Sequence, residues 1–183
     1  MAKGNKKTVK TKTTQRKGAS SPFPLWRVAL VFLLLVAGFN LLQWFLFMPD
    51  GMAVVQNWTA RSAAWLISTS GIDVTLQQCF LYLPTSHWEV TPECTASSAI
   101  YVFAAFLLAY PASWKARCKG LLSGILLLVA ANLLRLLALA WVAKFDPNLA
   151  TYFHDYVWQI AFLLLVALLW VVWLDLMVKP DAA

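Results

Sequence analysis

Four long apolar stretches divide the chain, and polar segments separate them. The stretches run from about Leu25 to Met48, from Thr95 to Trp114, from Leu121 to Ala143 and from Val157 to Val178. A helix needs roughly 20 apolar residues to cross the hydrocarbon core of a bilayer, and each stretch is close to that length. The pattern therefore predicts an all-α integral membrane protein with about four transmembrane helices.

Positive charge is unevenly distributed among the segments between these stretches. Of 15 Lys and Arg residues, eight lie in residues 3–27, three in residues 115–119, and one is Lys179. The alternate segments contain only Arg61 and Lys144. Cytoplasmic flanks of membrane helices carry the excess of Lys and Arg. Both termini are therefore predicted in the cytoplasm, and the two long connections on the outer face.

The basic N-terminal segment has a composition of its own. Residues 1–24 contain mainly Lys, Thr, Ser, Gly and Pro, so they are predicted to form a disordered cytoplasmic tail. The net charge of +7 would suit a nucleic-acid partner, but no aromatic residues alternate with the basic ones. Contact with anionic lipids is expected instead, and no nucleic acid. Residues 25–178 then form the membrane domain, and residues 179–183 a short cytoplasmic tail.

The first outer connection, residues 49–93, begins with a helical pattern. Its apolar residues fall near one face, with Gln56, Asn57 and Arg61 mainly opposite; they are Val54, Val55, Trp58, Trp65 and Leu66. A helix with these two faces is predicted to lie in the membrane interface rather than to cross it.

After Gly71 the pattern changes to strand-like alternation. Apolar and polar residues alternate from Ile72 to Gln77, and a second run, Cys79 to Leu83, leads to the turn Pro84-Thr85-Ser86. The segment from His87 to Val90 follows. This arrangement predicts a small β-hairpin on the outer surface.

A cysteine lies where the second apolar stretch begins, within Thr91-Pro92-Glu93-Cys94-Thr95-Ala96. Thr is a preferred N-cap and Pro is favoured at the first helical position, so Cys94 is predicted in the first turn of a membrane helix. Unsatisfied N–H groups and the positive end of the helix dipole favour a thiolate there. Cys94 is therefore a candidate nucleophile; a small residue buried in a core is the alternative.

Arg135 is a charged residue inside the third apolar stretch, where charge indicates function by default. It precedes the predicted outer end by eight residues, or about 12 Å of helix, and its long side chain can extend toward the outer surface. Asn132, one turn earlier on the same face, is expected to hold Arg135 or a substrate carbonyl. A structural ion pair of Arg135 with Asp146 or Asp155 is the alternative.

His154 follows Asp146-Pro147 in the predicted second outer connection, just above the fourth stretch. By the predicted topology, Cys94, Arg135 and His154 meet at one level of the outer face. They supply the nucleophile, charge stabiliser and base that acyl transfer requires. His87, in the predicted hairpin, is a rival base, and an imidazole that only bonds a loop carbonyl is the alternative for His154.

Other cysteine chemistry is only partly excluded by the sequence. Cys79 and Cys94 are both predicted outside, where disulfides form, so a bridge between them stays open. Cys118 is predicted on the inner side and cannot join them. No Cys-x-x-Cys pair is present, which argues against a thiol oxidoreductase. His87, Cys94 and His154 lack compact ligand spacing, so neither a metal nor another cofactor is expected.

The ordered set Cys94-Thr95-Ala96, Asn132-Leu133-Leu134-Arg135 and His154, spaced around membrane spans, resembles the exosortase/archaeosortase family. The likeness covers about Trp65 to Trp173 and is greatest to small single-domain exosortases such as the exosortase H type. Thr95 departs from the pattern, since many relatives have Ser there. The chain also has fewer predicted spans than the larger exosortases.

The resemblance implies a cysteine protease or transpeptidase of the cell inner membrane, with its active site on the outer, periplasmic face. Its substrates would be secreted proteins with a C-terminal tail of short motif, membrane helix and basic end, transferred to an unknown acceptor nucleophile. Cys94 would form a thioester, His154 would act as general acid and base, and Arg135 would stabilise the oxyanion or position the substrate. A non-enzymatic membrane subunit of an envelope assembly system is the alternative.

Overall fold

The computed structural model of the protein describes residues 25–46 and 51–179. The predicted tails, residues 1–24 and nearly all of 179–183, lie outside the described residues. The elements, in order, are α1 (Leu25–Leu46), α2 (Ala53–Thr69), β1 (Thr75–Gln77), β2 (Phe80–Tyr82), β3 (His87–Glu89), a 3₁₀ turn (Pro92–Cys94), α3 (Ser97–Ala109), α4 (Trp114–Phe145), α5 (Pro147–Tyr152), a π-helical turn (Phe153–Val157), α6 (Trp158–Trp173) and a second π-helical turn (Leu174–Val178).

The described residues contain two helices that are long and apolar enough to cross a membrane. One is α4, and the other runs continuously from Pro147 to Val178 through α5 and α6. Two shorter apolar helices accompany them, Leu25–Leu41 within α1, and α3. The structure is thus mostly helical, as expected, with a small antiparallel sheet, and two of the described helices are both long and apolar enough to cross a membrane.

The second predicted span, Thr95 to Trp114, is shorter in the structure. α3 has 13 residues, about 20 Å at the helical rise per residue, whereas the hydrocarbon core is about 30 Å thick. At its end, Pro111 disfavours helical geometry in the preceding residue, and Tyr110 is extended with φ −78° and ψ 137°. At its start, Thr95 is extended with φ −92° and ψ 162°. The helix is therefore confined between these two residues.

The last helix begins ten residues earlier than the predicted start at Val157. Asp146 caps it, since its Oδ1 accepts the N–H groups of Asn148 and Leu149 at 2.9 and 3.2 Å. Pro147 occupies the first helical position, where it is favoured. The prediction of an outer loop carrying His154 is therefore wrong, because His154 lies on the helix.

Buried side chains form two clusters. The far core consists of Phe103, Leu107, Leu128, Val166 and Trp173, from α3, α4 and α6. The site-end core joins α2, the sheet and the C-terminal half of α4, and consists of Ala60, Ala63, Ile67, Ile72, Leu81, Val90, Cys94, Leu136 and Ala140. α4 contributes to both clusters and connects them.

Small residues on α4 let α3 and α6 approach closely in the far core. Gly120 and Gly124 are buried, and a Cβ on Gly124 would overlap the Phe103 ring, while one on Gly120 would overlap the Trp173 indole. Trp173 Nε1 donates to the Ala116 carbonyl at 2.9 Å. Small residues four apart are typical of close helix contacts in membranes.

The predicted hairpin is part of a three-stranded antiparallel sheet with the order β1-β2-β3. β2 and β3 pair with Leu81 opposite Trp88, and β1 adds to β2 with Leu76 opposite Leu81. The β2–β3 turn is fixed to α4, because Thr85 Oγ1 donates to the Ala143 carbonyl at 2.9 Å. Gln56 Nε2 on α2 donates to the Val90 carbonyl at 3.0 Å. The sheet is thereby held against both helices, directly before Cys94.

Candidate active site

Cys94 ends the 3₁₀ turn rather than lying in a membrane helix. Its N–H donates to the Thr91 carbonyl at 2.9 Å. Thr91 provides no side-chain cap, and extended Thr95 separates the turn from α3. The prediction of Cys94 in the first turn of the helix is therefore wrong, and its environment depends on other side chains.

The sulfur of Cys94 has two polar neighbours. Sγ lies 3.3 Å from Nε2 of His154, and the Thr91 hydroxyl donates to Sγ at 3.5 Å. Cys94 is 6% exposed, so protein atoms rather than water surround most of it. A thiol and an imidazole at this distance can exchange a proton, as a nucleophile and its base must.

These contacts determine the pKa of the Cys94 thiol. Burial raises that pKa, because the thiolate loses solvation. The hydrogen bonds with His154 and Thr91 act in the opposite direction, as does the positive charge of protonated His154. The net effect is a thiol pKa below its ordinary value. The thiolate is therefore easier to form at Cys94 than at an ordinary cysteine, and side-chain contacts rather than a helix terminus account for this.

The other ring nitrogen of His154 faces a carboxylate. Nδ1 lies 3.2 Å from Oδ1 of Asp155, and this carboxylate is exposed to solvent. A carboxylate beside Nδ1 favours the proton on that nitrogen and leaves Nε2 able to accept one from the thiol. Both residues lie on the π-helical turn, and single π-helical turns within helices are frequent at functional sites.

Arg135 lies on α4 and is 7% exposed. Its guanidinium carbon is 5.8 Å from the ring centroid of Phe162, and its charge acts on both Cys94 and His154. Nε is buried without a hydrogen-bond partner. Among the described residues, the ion pairs are His154–Asp155 and Lys179–Asp175, so the alternative pairing with Asp146 or Asp155 is not formed. The guanidinium thus places a positive charge near the thiol, and its Nε–H can still donate a hydrogen bond.

Asn132, 2% exposed, binds a partner that the sequence did not indicate. Its Nδ2 donates to the backbone carbonyl of Cys94 at 2.9 Å. Its Oδ1 is buried without a partner. The expected bond to Arg135 is absent among the described contacts. Asn132 instead ties α4 to the turn that carries the sulfur.

A cavity of about 240 Å³ adjoins the sulfur and the imidazole. Its walls come from the sheet, the 3₁₀ turn, α4, α5 and the π-helical turn. The apolar lining residues are Leu81, Trp88, Val90, Leu136, Leu139 and Ala150, and the polar ones are Glu89, Thr91, Cys94, Thr151 and His154. The reacting atoms therefore face a mainly apolar space that can admit part of a substrate.

Among the residues that the structure describes, neither a disulfide nor a metal-binding cluster is seen. Cys79, Cys94 and Cys118 are all free thiols, so the Cys79–Cys94 bridge is not formed. His87 pairs with Tyr82 across β2 and β3, with ring centroids 6.4 Å apart, and it does not line the cavity. The described part of the chain holds no group of three or more His, Cys, Asp or Glu side chains that could bind a metal.

The structure gives two site residues contacts that the sequence does not predict. The sequence pattern predicts Thr91 as a helix cap, whereas its hydroxyl donates to Cys94 Sγ. It offers Asp155 as a partner of Arg135, whereas Asp155 pairs with His154. Their proximity in sequence to Cys94 and His154 was the only available signal, and it does not specify side-chain geometry.

Comparison with known proteins identifies a family. The family model described as transmembrane exosortase (Exosortase_EpsH) matches residues 17–173, most of the chain. No curated protein and no solved structure matches the chain significantly. The family match includes every candidate site residue and confirms the resemblance found from the motifs.

Proposed function

This chain belongs to the transmembrane exosortase family, and we propose that it is a membrane cysteine protease and transpeptidase acting on C-terminal sorting tails of secreted proteins. The observation that carries the proposal is the 3.3 Å separation of Cys94 Sγ and His154 Nε2. The unpaired charge of buried Arg135 supports it, since acyl transfer develops negative charge near the nucleophile. The tail would consist of a short motif, a membrane helix and a basic end.

In the first step, the Cys94 thiolate attacks the carbonyl carbon of the scissile peptide bond. His154, which holds the proton from the thiol on Nε2, gives that proton to the leaving amine as the C–N bond breaks. Arg135 stabilises the oxyanion of the tetrahedral intermediate or positions the substrate. The products are a thioester between the secreted protein and Cys94, and the released tail with a new amino terminus.

In the second step, an acceptor attacks the thioester. The acceptor is an amine, a hydroxyl or water, and His154 takes its proton as the bond to carbon forms. The C–S bond breaks and Cys94 leaves as the thiolate, so the site returns to its initial protonation state. Asp155 beside Nδ1 keeps the imidazole oriented for both transfers.

The membrane arrangement is part of the proposal. α1 would cross beside α4 and the α5–α6 helix, and α3 would cross together with the extended segments that flank it, with the termini in the cytoplasm and Cys94 at the outer face of the inner membrane. The distribution of Lys and Arg supports this orientation. A substrate tail that is itself a membrane helix would diffuse in the bilayer and present its motif near the depth of Cys94.

The test is processing of a tagged secreted protein that carries such a tail and is encoded in the same genome. Tail loss would be followed by mass in cells with the native enzyme, Cys94→Ala, or Cys118→Ala as a control for an exposed cysteine elsewhere. We expect processing to stop only in Cys94→Ala at matched membrane levels. Equal processing by Cys94→Ala would exclude Cys94 as the nucleophile and favour a non-enzymatic assembly subunit.

A further inference from the structure

β3 is an edge strand of the sheet, since it pairs with β2 on one side only. Val90 N–H donates to the Cys79 carbonyl at 2.9 Å, and Leu83 N–H donates to the Ser86 carbonyl at 2.8 Å. Along an antiparallel strand, the backbone N–H and C=O groups of one residue point toward the paired strand, and those of the next residue point away from it. The N–H groups of His87 and Glu89 therefore face away from β2.

This outer edge is exposed. The side chains of His87 and Glu89 are both exposed, whereas Trp88 between them is half-buried. The Glu89 carbonyl accepts the Thr91 N–H at 3.1 Å, and this bond ends the strand just before the 3₁₀ turn. Two N–H groups and the His87 carbonyl therefore face outward. Exposed edges of this kind are templates for adding another strand.

The edge is continuous with the candidate active site. Four consecutive residues, Trp88, Glu89, Val90 and Thr91, line the cavity that also contains Cys94 and His154. Leu81 and Trp88 pair directly across β2 and β3, so their side chains lie on the same face of the sheet, and both line the cavity. The cavity thus extends along β3 toward the sulfur.

We propose that the substrate segment containing the scissile bond binds as a fourth strand on the free edge of β3. This inference rests on the proposed function and adds how the tail is recognised. Backbone hydrogen bonds from His87 and Glu89 hold the segment extended, as in other peptide complexes formed by strand addition. The strand direction carries the scissile carbonyl toward Cys94.

The geometry also defines the substrate class. Side chains of the added strand alternate between the two faces of the sheet. One of them enters the cavity on the Leu81 and Trp88 face, and the mainly apolar lining favours an apolar side chain there. The recognised segment is therefore an extended peptide with an apolar residue at one position near the cut, while its immediate neighbours face away from the cavity.

The first test is binding by variants of β3 in a Cys94→Ala protein, which cannot turn the substrate over. The probe is a fluorescent synthetic peptide covering the residues before the membrane helix of a tailed protein from the same genome. Glu89→Ala removes only the side chain, whereas Glu89→Pro also removes the outward N–H, and proline is tolerated on a strand edge at such a position. Loss of one net hydrogen bond predicts about five- to tenfold weaker binding by Glu89→Pro than by Glu89→Ala.

The second test changes the peptide and leaves the protein intact, so it stands even if Glu89→Pro does not fold. Each backbone nitrogen of the peptide is methylated in turn. Strand addition predicts that binding weakens at every second position, because only alternate N–H groups face β3. Replacing the apolar residue that faces the cavity with Asp should weaken binding most among side-chain changes.

Equal binding by Glu89→Pro and Glu89→Ala together with no two-residue period would overturn strand addition. Absence of peptide binding at the highest soluble concentration would overturn it as well. Processing of the full tail by native enzyme distinguishes the two proposals. If processing needs Cys94 but peptide binding lacks the two-residue period, strand addition is overturned and the proposed function stands. If processing does not need Cys94, the proposed function itself is overturned.

Discussion

The site-end core and the far core use the same helix, α4, in opposite ways. In the far core, α4 presents glycines to the rings of Phe103 and Trp173, and this close contact requires that no side chain is present at those positions. In the site-end core, α4 presents Leu136 and Ala140 beside Cys94 and the sheet. Asn132 and Arg135 lie between these regions along the helix and are buried polar residues with unpartnered atoms.

Stability and chemistry therefore depend on different parts of the same helix. Rings packed on glycines tolerate little change in volume, and their loss affects the whole bundle. The polar residues near Cys94 contribute little apolar burial, and they are arranged around a thiol and a cavity. Substitutions in the far core should change stability, and those at the site should change rate.

The largest expected effect is loss of the base. His154→Ala should lower the rate of tail processing by about 10³-fold, because proton transfer to the leaving amine is lost. The melting temperature should change little, since His154 belongs to neither core. His87→Ala is the matched control and tests the rival base; if it reduced processing as much as His154→Ala, the assignment of His154 would be wrong.

A change in the far core should affect stability and leave the chemistry of Cys94 intact. Gly124→Val should lower the free energy of unfolding by about 1–3 kcal/mol, because the new side chain overlaps the buried Phe103 ring. Gly38→Val on α1 is the control, as nothing lies within 4 Å of a Cβ there. Thermal unfolding in detergent measures the difference. Alkylation of Cys94 in the folded fraction should be unchanged, and a changed rate would show that the two regions are coupled.

A smaller effect is expected at the residue that joins α4 to the turn. Asn132→Leu keeps a similar size but leaves the buried Cys94 carbonyl without its donor. Misplacement of the sulfur should lower processing roughly tenfold, with a modest loss of stability. Asn40→Leu on α1 is the control, since among the described residues Asn40 donates to the Val36 carbonyl of its own helix. Equal activity of the two variants would argue against a positioning role for Asn132.

The smallest effect concerns the ionisation of Cys94. The thiol pKa lies below its ordinary value, so the reactive thiolate persists to lower pH and is lost as pH falls through that pKa. Thr91→Val removes one hydrogen bond to the sulfur and should move the midpoint of iodoacetamide alkylation upward. Thr69→Val on α2 is the control, since in the described part of the chain its hydroxyl donates to the Leu66 carbonyl of its own helix. A midpoint that does not move would exclude Thr91 from tuning the thiol.

The positions of Thr91 and Asp146 show how far the sequence can predict the helices. Each precedes a proline and resembles a helix cap. Asp146 does cap a helix, through two N–H groups, whereas Thr91 directs its hydroxyl to Cys94 Sγ and only a 3₁₀ turn forms. The local signals are the same in both cases, so they do not specify whether an α-helix or a short 3₁₀ turn follows the proline.

The site residues show a similar limit. The sequence indicates Cys94 and Arg135 because a thiol at a membrane boundary and a charge within an apolar stretch are unusual. It indicates His154 because this residue lies just before the last apolar stretch, at the same predicted face. The spacing predicts Asn132 on the same helix face as Arg135, but its hydrogen-bond partner comes from a segment 38 residues away. Spacing along one helix gives no information on such a contact. The glycines of the far core were likewise visible in the sequence without indicating which rings pack on them.

The most direct test of the central claim is trapping of the acyl-enzyme. Native protein and Cys94→Ala would be incubated with a tailed substrate, quenched in acid and digested for mass spectrometry. We expect a substrate fragment attached to Cys94 in the native protein, released by hydroxylamine and absent from Cys94→Ala. Tail processing with the fragment attached to Cys79 or Cys118, or processing by Cys94→Ala at the native rate, would contradict the account.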